Sequence, residues 1–410
     1  MTVIALRNAD FARPPRQAPH RMAPLDIRHI VIDDCHHPLR ANGVHHVARM
    51  LTLEQIEAGD HARIVLFRAP EGETFDEVAD VRTDLLPLIG SKLLGRLVRL
   101  APKILTTLLA GANPRTIFHI HGARQPLLWS LSRALRQRGY PYAITVHGRY
   151  SHLFDLDGRT QRRTSLLYLK TVERGVLNAA RFVHAVSEAE RRIIRRIAPD
   201  ARLEVVANAA FSSSRDGPPP APRRSAPSPR FPMFGFCGRY EIEHKGLDLL
   251  IQGFADYRRR GGKGNLTLIG TGSARQRLAD MAKALGVDDW VDVGGPQFGD
   301  EKNMTLRSWD FFVQPSRFDG VPIGPLEAAL LGLPLIVTAE TGLRQQVASL
   351  EAGVPIADLT AEAVAQAFRA AESATPDAWM RMSRNAHAMG ASIGDWTAIA
   401  ERIRSLYEFQ

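Results

Sequence analysis

FPMFGFCGRYEIEHKGLDLLIQGF, residues 231–254, reads as a strand, a turn and a helix in immediate succession. FPMFGFCG (231–238) is a short apolar run, and a helix is expected from near Leu247. Such a run feeding into a helix is the start of a βα unit whose strand is covered on both faces. The pattern repeats. NLTLIG (265–270), WVDVGG (290–295), FFVQPS (311–316) and PLIVT (334–338) are further strand candidates, with helical stretches between them. Upstream, IRHIVID (27–33), ARIVLF (62–67), TIFHIH (116–121), YAITVH (142–147), RFVHAVS (181–187) and LEVVAN (203–208) alternate with helices such as Val44–Gly59 and Gln125–Gly139. Alternation without hairpin signals predicts an α/β chain with two successive parallel sheets.

Between the two series lies SSSRDGPPPAPRRSAPSPR, Ser212–Arg230, which cannot bury apolar surface and favours extended backbone. The division expected is a disordered leader over 1–24, a first domain over 25–211, a linker over 212–230, a second domain over 231–394 and an amphipathic helix over 395–410. That last helix is expected to pack back on the first domain. Ligands of open parallel sheets bind beyond the carboxyl ends of the strands, so the residues following each strand carry the functional reading.

Composition narrows the class. The chain has 410 residues, 45% apolar and 23% charged, the balance of a globular protein with two domains. Two cysteines, Cys35 and Cys237, exclude a disulfide scaffold and a cysteine-based zinc cluster. The first 24 residues lack the apolar core of a signal peptide, and no window reaches 18 uncharged apolar residues, so a cytoplasmic protein is expected. The net charge of +10 is uneven: residues 1–230 hold 35 Lys and Arg against 21 Asp and Glu, residues 231–410 hold 18 against 22. A basic first half points to an anionic partner.

Three stretches carry chemistry. In GRYEIEHKG (238–246), Arg239 follows a strand and Lys245 precedes a helix; two cations beside free helix N–H groups suit a diphosphate. In LTLIGTGSARQRL (266–278), Gly270 and Gly272 form part of a dinucleotide fingerprint, but Arg275 occupies the third glycine position. A nicotinamide-dependent oxidoreductase is therefore an alternative that Arg275 opposes. In PSRFDGVPIGPLEAALLGLPLIVT (315–338), Asp319 and Glu327 bracket a Gly- and Pro-rich loop, with Glu327 expected to start a helix. Carboxylates bind sugar hydroxyls through charge-assisted hydrogen bonds, and the amides near Ile323 and Gly324 would face phosphate oxygens.

Taken together, GRYEIEHKGLDLL, LTLIGTGS and QPSRFDGVPIGPLEAALLGLPLIVT resemble the family 4 glycosyltransferases, which have the GT-B fold of two Rossmann-like domains facing across a cleft. NGVHHVARML (42–51), IFHIHG (117–122), ITVHG (144–148), HAVSEAE (184–190) and VVANAA (205–210) resemble the family's first domain more loosely. The resemblance implies that Arg239 and Lys245 hold the diphosphate of a nucleotide-sugar, Glu327 its ribose and Asp319 the transferred sugar. It places Gly43 at a loop approaching donor and acceptor, and His147 across the cleft near the sugar. Asp319 stands where the family has Glu, and Asn42-Gly43 where it often has two glycines. The implied reaction is transfer to a glycan or lipid-linked acceptor in bacterial polysaccharide or glycolipid synthesis, mostly with retention, and with no metal and no cofactor besides the co-substrate.

Other features read more plainly. Asp155-Leu156-Asp157 matches a metal motif of another glycosyltransferase fold, a chance occurrence in a chain this long. His119 and His121 share one strand face, and His36, His37, His45 and His46 cluster near the first loop; histidines lining a polar cleft account for them better than a metal. SKLLGRLVRLAPKILTTLLAG (91–111) puts Lys92, Arg96, Arg99 and Lys103 on one helical stripe beside a leucine face, with a kink expected at Pro102. That pattern suits an anionic membrane surface on the inner face of the cell membrane. Nucleic acid is the rival partner, disfavoured because no aromatics interleave the basic residues.

Overall fold

The computed structural model describes residues 23–33, 43–68, 81–87, 100–150, 167–215 and 231–408. The proposed leader up to residue 22, most of the linker, Cys35, His36, His37, Lys92, Arg96, Arg99 and the Asp155–Asp157 motif lie outside those residues.

Two parallel sheets follow one another, as expected. The first contains β1 (Asp26–Asp33), β2 (His61–Arg68), β3 (Thr83–Pro87), β4 (Thr116–His121), β5 (Tyr142–Thr145), β6 (Val183–Ala185) and β7 (Leu203–Val205), in the order β3-β2-β1-β4-β5-β6-β7. The second contains β8 (Met233–Arg239), β9 (Asn265–Thr271), β10 (Val291–Val293), β11 (Phe311–Gln314), β12 (Leu335–Val337) and β13 (Gly353–Pro355), in the order β10-β9-β8-β11-β12-β13. Each sheet winds outward from its first strand in both directions, so each has a switch point: between β1 and β4, and between β8 and β11. The crevice for a ligand opens at such points.

β3 and β13 escaped the sequence reading. TDLLP is only partly buried and GVP is three residues long, so neither shows the buried apolar run that marks the central strands. The central strands show it plainly: all six residues of β4 are buried.

Apolar clusters cover both faces of each sheet. The cluster that includes Ile27, Val47, Leu51 and Ile64 of the first domain also contains Trp396, Ile399, Ile403, Leu406 and Tyr407. The C-terminal helix Trp396–Glu408 thus packs on the first domain. Arg404 donates to both carboxylate oxygens of Asp60 at 2.8 and 3.1 Å. Ser212, where the linker was expected to begin, is tied to Glu54 (2.5 Å), and Ser213 bonds Asp395 through its backbone N–H (2.8 Å) and its hydroxyl. The side chain of Asn208 donates to the Val321 carbonyl of the second domain at 3.2 Å.

Pro102 opens a helix, Pro102–Leu109, where a mid-helix kink was expected. Proline at the first helical position has a fitting φ and loses no hydrogen bond. Ile104, Leu105 and Leu108 face the core of the first domain, and Lys103 is exposed.

Candidate active site

The carboxyl ends of β8 and β11 gather most of the polar residues that the sequence singled out. Lys245 lies at the end of a short helix, Ile242–Lys245, and Gly246 then turns the chain into the helix Leu247–Arg259. Gly246 sits at φ 64°, and a Cβ there would stand 1.9 Å from the Pro315 carbonyl oxygen. The Lys245 turn therefore lies directly against the chain leaving β11. Lys245 is 8% exposed, and its Nζ is 2.6 Å from Asp319 Oδ2. The same oxygen accepts from Gln314 Nε2 at 2.8 Å and Ser316 Oγ at 3.1 Å. A carboxylate gripped by three donors is positioned before any ligand arrives.

Glu327 occupies a neighbouring position with a different partner. The helix expected to start at Glu327 starts four residues earlier, at Ile323, and runs to Leu330. Pro322 is its N-cap, so the extended conformation of a proline-bounded turn sets the boundary. Glu327 Oε1 is 2.7 Å from Lys302 Nζ. Burial acts to lower the Lys302 pKa, but the Glu327 carboxylate outweighs it and the net shift is upward. Burial, reinforced by Glu327, pushes the Cys237 thiol up to about 12, so this residue of β8 is an inert neighbour. A Cβ on Gly324 would lie 2.9 Å from the Cys237 carbonyl, so the helix N-terminus packs against β8 itself.

Arg239 ends β8, exposed, with Nη1 2.5 Å from Glu241 Oε1. Glu241 is held at about 2 by its hydrogen bond to His244 and by Arg239 and Lys245, against the effect of burial. Arg239, Lys245, Asp319 and Glu327 thus stand at one edge of the second sheet, but as separate pairs: Arg239 with Glu241, Lys245 with Asp319, Glu327 with Lys302.

The glycines divide by cause. A Cβ on Gly270 would stand 1.8 Å from the Gly238 carbonyl, and Gly272 has φ 144° with its Cβ position 3.0 Å from Tyr240; close strand packing calls for the first and backbone conformation for the second. Arg275 donates to the Val293 carbonyl at 3.0 Å. Gly43 opens the helix Gly43–Glu57, where a Cβ would meet nothing within 4 Å among the described residues.

Across the cleft, Gly320 meets the first domain: its Cβ would lie 2.6 Å from Val186. The loop after β5 is tied to the same place. His147 (φ 57°) and Gly148 (φ 72°) are both left-handed. The buried carboxylate of Glu190 accepts from Gly148 N–H at 2.5 Å and Val186 N–H at 2.7 Å. Burial lifts the pKa of Glu190 to about 7, against those two bonds. His147 therefore sits on a loop braced against the Asp319–Gly320 side. His119 and His121, expected to line the cleft, are at most 1% exposed; they belong to the interior.

Two family descriptions match the two halves: Glycosyl transferase 4-like domain over residues 42–209, and Glycosyl transferases group 1 over residues 221–389. The chain belongs to the group 1 glycosyltransferases. This places the transferase above the oxidoreductase and nucleic-acid readings. The glycosyltransferase is 30% identical to a glycogen synthase of Alkalilimnicola ehrlichii over 43% of its own length, and spans 37% of that relative. It is 28% identical to the 2-deoxystreptamine N-acetyl-D-glucosaminyltransferase of Streptomyces fradiae over 72% of each chain. The Anabaena protein HepE, solved in complex with UDP and glucose, superposes with a TM-score of 0.67 at 16% identity, over 92% of this glycosyltransferase and 98% of that chain. At that identity the likeness shows the shared GT-B fold.

Lys302, Gln314 and Ser316 were missed in the sequence. Gln314 and Ser316 fall where the strand-end rule looks, within FFVQPS. Lys302 carries no local signal, because its partner is 25 residues away in the chain.

Proposed function

We propose that this glycosyltransferase moves a sugar from a nucleotide-sugar donor to a glycan or lipid-linked acceptor in polysaccharide or glycolipid synthesis. The observation that carries this reading is the Lys245–Asp319 pair, 2.6 Å apart beside the N-terminus of the Ile323–Leu330 helix. Cations next to free helix N–H groups suit a diphosphate, and a carboxylate held by three donors suits a sugar hydroxyl. HepE, of the same fold, was solved with UDP and glucose.

On this reading Lys245 and Arg239 take the diphosphate, together with the N–H groups of Ile323 and Gly324. Lys245 turns from Asp319 to phosphate as the donor enters, and Asp319 then turns to the sugar. Glu327, oriented by Lys302, takes the ribose. Gly43, which carries no side chain, lets the donor and acceptor approach the first domain, and His147 faces the transferred sugar. Negative charge grows on the departing phosphate, and the cations and helix N-terminus stabilise it in place of a metal. Retention of the anomeric configuration is the outcome that the family resemblance implies.

Titration calorimetry with UDP, GDP and NAD tests the donor assignment. One nucleoside diphosphate binds and NAD does not; tight NAD binding with neither diphosphate bound would overturn it. Lys245→Ala is expected to lower kcat/KM about 100-fold with little change in melting temperature, as removal of a phosphate-stabilising cation should. Unchanged turnover would remove Lys245 from the site.

The basic first half supports an anionic acceptor at the inner face of the cell membrane, reached through Lys92, Arg96, Arg99 and Lys103. Among the described residues no helix is long and apolar enough to cross a membrane. Sedimentation with anionic against zwitterionic vesicles checks this: equal binding to both removes the membrane surface from the proposal.

A further inference from the structure

Five histidines converge inside the first domain, and sugar transfer as read above uses only His147. His29, His119, His121 and His184 are each at most 1% exposed. Ligand atoms of His29, His119 and His121 lie within 4.8 Å of one another, an arrangement that invites a metal. The contacts favour protons instead. His29 Nδ1 and His121 Nε2 are 2.8 Å apart, a hydrogen-bond separation, whereas two nitrogens each about 2.0 Å from one tetrahedral ion stand roughly 3.3 Å apart.

The bond directions in this network follow from two acceptors, the Val206 carbonyl and the Gln55 amide oxygen. His184 Nε2 is 2.7 Å from the Val206 carbonyl, which can only accept, so His184 carries its proton there. Its Nδ1 then accepts from Thr145 Oγ1 at 2.9 Å. The Thr145 oxygen in turn accepts from His119 Nε2 at 2.7 Å. His119 Nδ1 therefore accepts from the Tyr407 hydroxyl at 2.5 Å. The Tyr407 oxygen is left as an acceptor, and the group beside it is the Gln55 amide. Gln55 Nε2 has no hydrogen-bond partner among the described residues, and the Gln55 amide presents Oε1 to His29 Nε2 at 2.7 Å. His29 Nε2 must donate, its Nδ1 must accept from His121 Nε2, and His121 Nδ1 must accept from His147 Nε2 at 3.0 Å.

We infer that the run of hydrogen bonds from Gln55 Oε1 through His29 and His121, with the Tyr407 oxygen beside the amide setting which way Gln55 faces, holds His147 in one tautomer, protonated on Nε2 and bare on Nδ1. A tautomer is defined only for a neutral ring, and burial keeps these rings neutral: His29 and His184 are lowered to about 4, His147 to about 3. His147 Nδ1 has no hydrogen bond among the described residues and is not one of their buried unpartnered atoms, so it is open to a ligand. A bare nitrogen accepts from a hydroxyl and repels a carboxylate. Resting on the placement of His147 beside the transferred sugar, the inference names the substrate class: a neutral sugar with a hydroxyl at that position, in preference to its uronic acid counterpart. Tyr407 and Gln55, from the C-terminal and first helices, act as positioning residues.

Long-range proton–nitrogen correlation on the full-length protein labelled with 15N-histidine reads the tautomer directly, with His147 assigned by its loss in His147→Gln. The expected wild-type signal is protonated Nε2 and bare Nδ1. Tyr407→Phe, or Thr145→Val should the first variant not fold, cuts the chain with little change of shape. Either should give a mixture of His147 tautomers and lower kcat about fivefold with donor KM unchanged. A protonated Nδ1 in the wild type, or a pure Nε2–H signal in both variants, would overturn the inference. Equal turnover of a neutral-sugar donor and its uronic acid counterpart would overturn the substrate class. The spectrum needs no substrate, so failure of every nucleoside diphosphate to bind would sink the donor assignment while leaving the tautomer result standing.

Discussion

Gly246 is a single residue on which the donor side depends. Its φ of 64° is in the left-handed region, and the Pro315 carbonyl leaves no room for a Cβ. Gly246→Ala is expected to cost about 3 kcal/mol, since the backbone conformation and the overlap both oppose it. Because Lys245 is its immediate neighbour, nucleoside diphosphate affinity should fall with stability. Urea denaturation and calorimetry check the two effects together; a stable variant with wild-type affinity would show that the turn has room to move. Residue identities here were legible: Arg239 and Asp319 follow strands, and Lys245 and Glu327 stand beside expected helix starts. Their pairing was not, because Lys302 reaches Glu327 only after the Gly299–Ser308 helix is folded beside β8.

Among the elements, the C-terminal helix has a role larger than its length. It supplies Trp396, Ile399, Ile403 and Leu406 to the first domain's core, and Tyr407 to the histidine chain. Arg404 closes the contact on Asp60, whose side chain is 1% exposed. Removing one member of a buried pair strands the other, so Arg404→Ala should destabilise by about 3 kcal/mol, read as a lower urea midpoint. A shift smaller than about 0.5 kcal/mol, the range of ordinary surface changes, would mean the pair contributes little. The amphipathic period of DWTAIAERIRSLYEF made this helix legible. Its docking partner was not, because a 3.6-residue period says that one face is buried without saying against what.

For the molecule as a whole, the buried imidazoles set a pH dependence. His29, His184 and His147 have folded pKa values near 4, 4 and 3, below the 6.5 of an unfolded chain. As pH falls below 6.5 the unfolded state takes up protons that the folded state refuses, so stability is lost on acidification and is fully present above 6.5. Each such group contributes about 1.4 kcal/mol per pH unit in that window. Glu190, raised to about 7, acts in the opposite sense, favouring the fold at lower pH. The histidines outnumber it, so the melting temperature should drop steeply between pH 6.5 and 4; a flat profile would mean that the folded histidines protonate freely. The two-sheet architecture and eleven of the thirteen strands among the described residues could be read along the chain, because buried parallel strands announce themselves as uninterrupted apolar runs. Which charges meet, which histidines are interior and which nitrogen of His147 is bare depend on contacts between residues as far apart as His119 and Tyr407. Local pattern records the burial of a side chain, whereas hydrogen-bond partners and proton positions are set only when distant strands and helices come within 3 Å of one another.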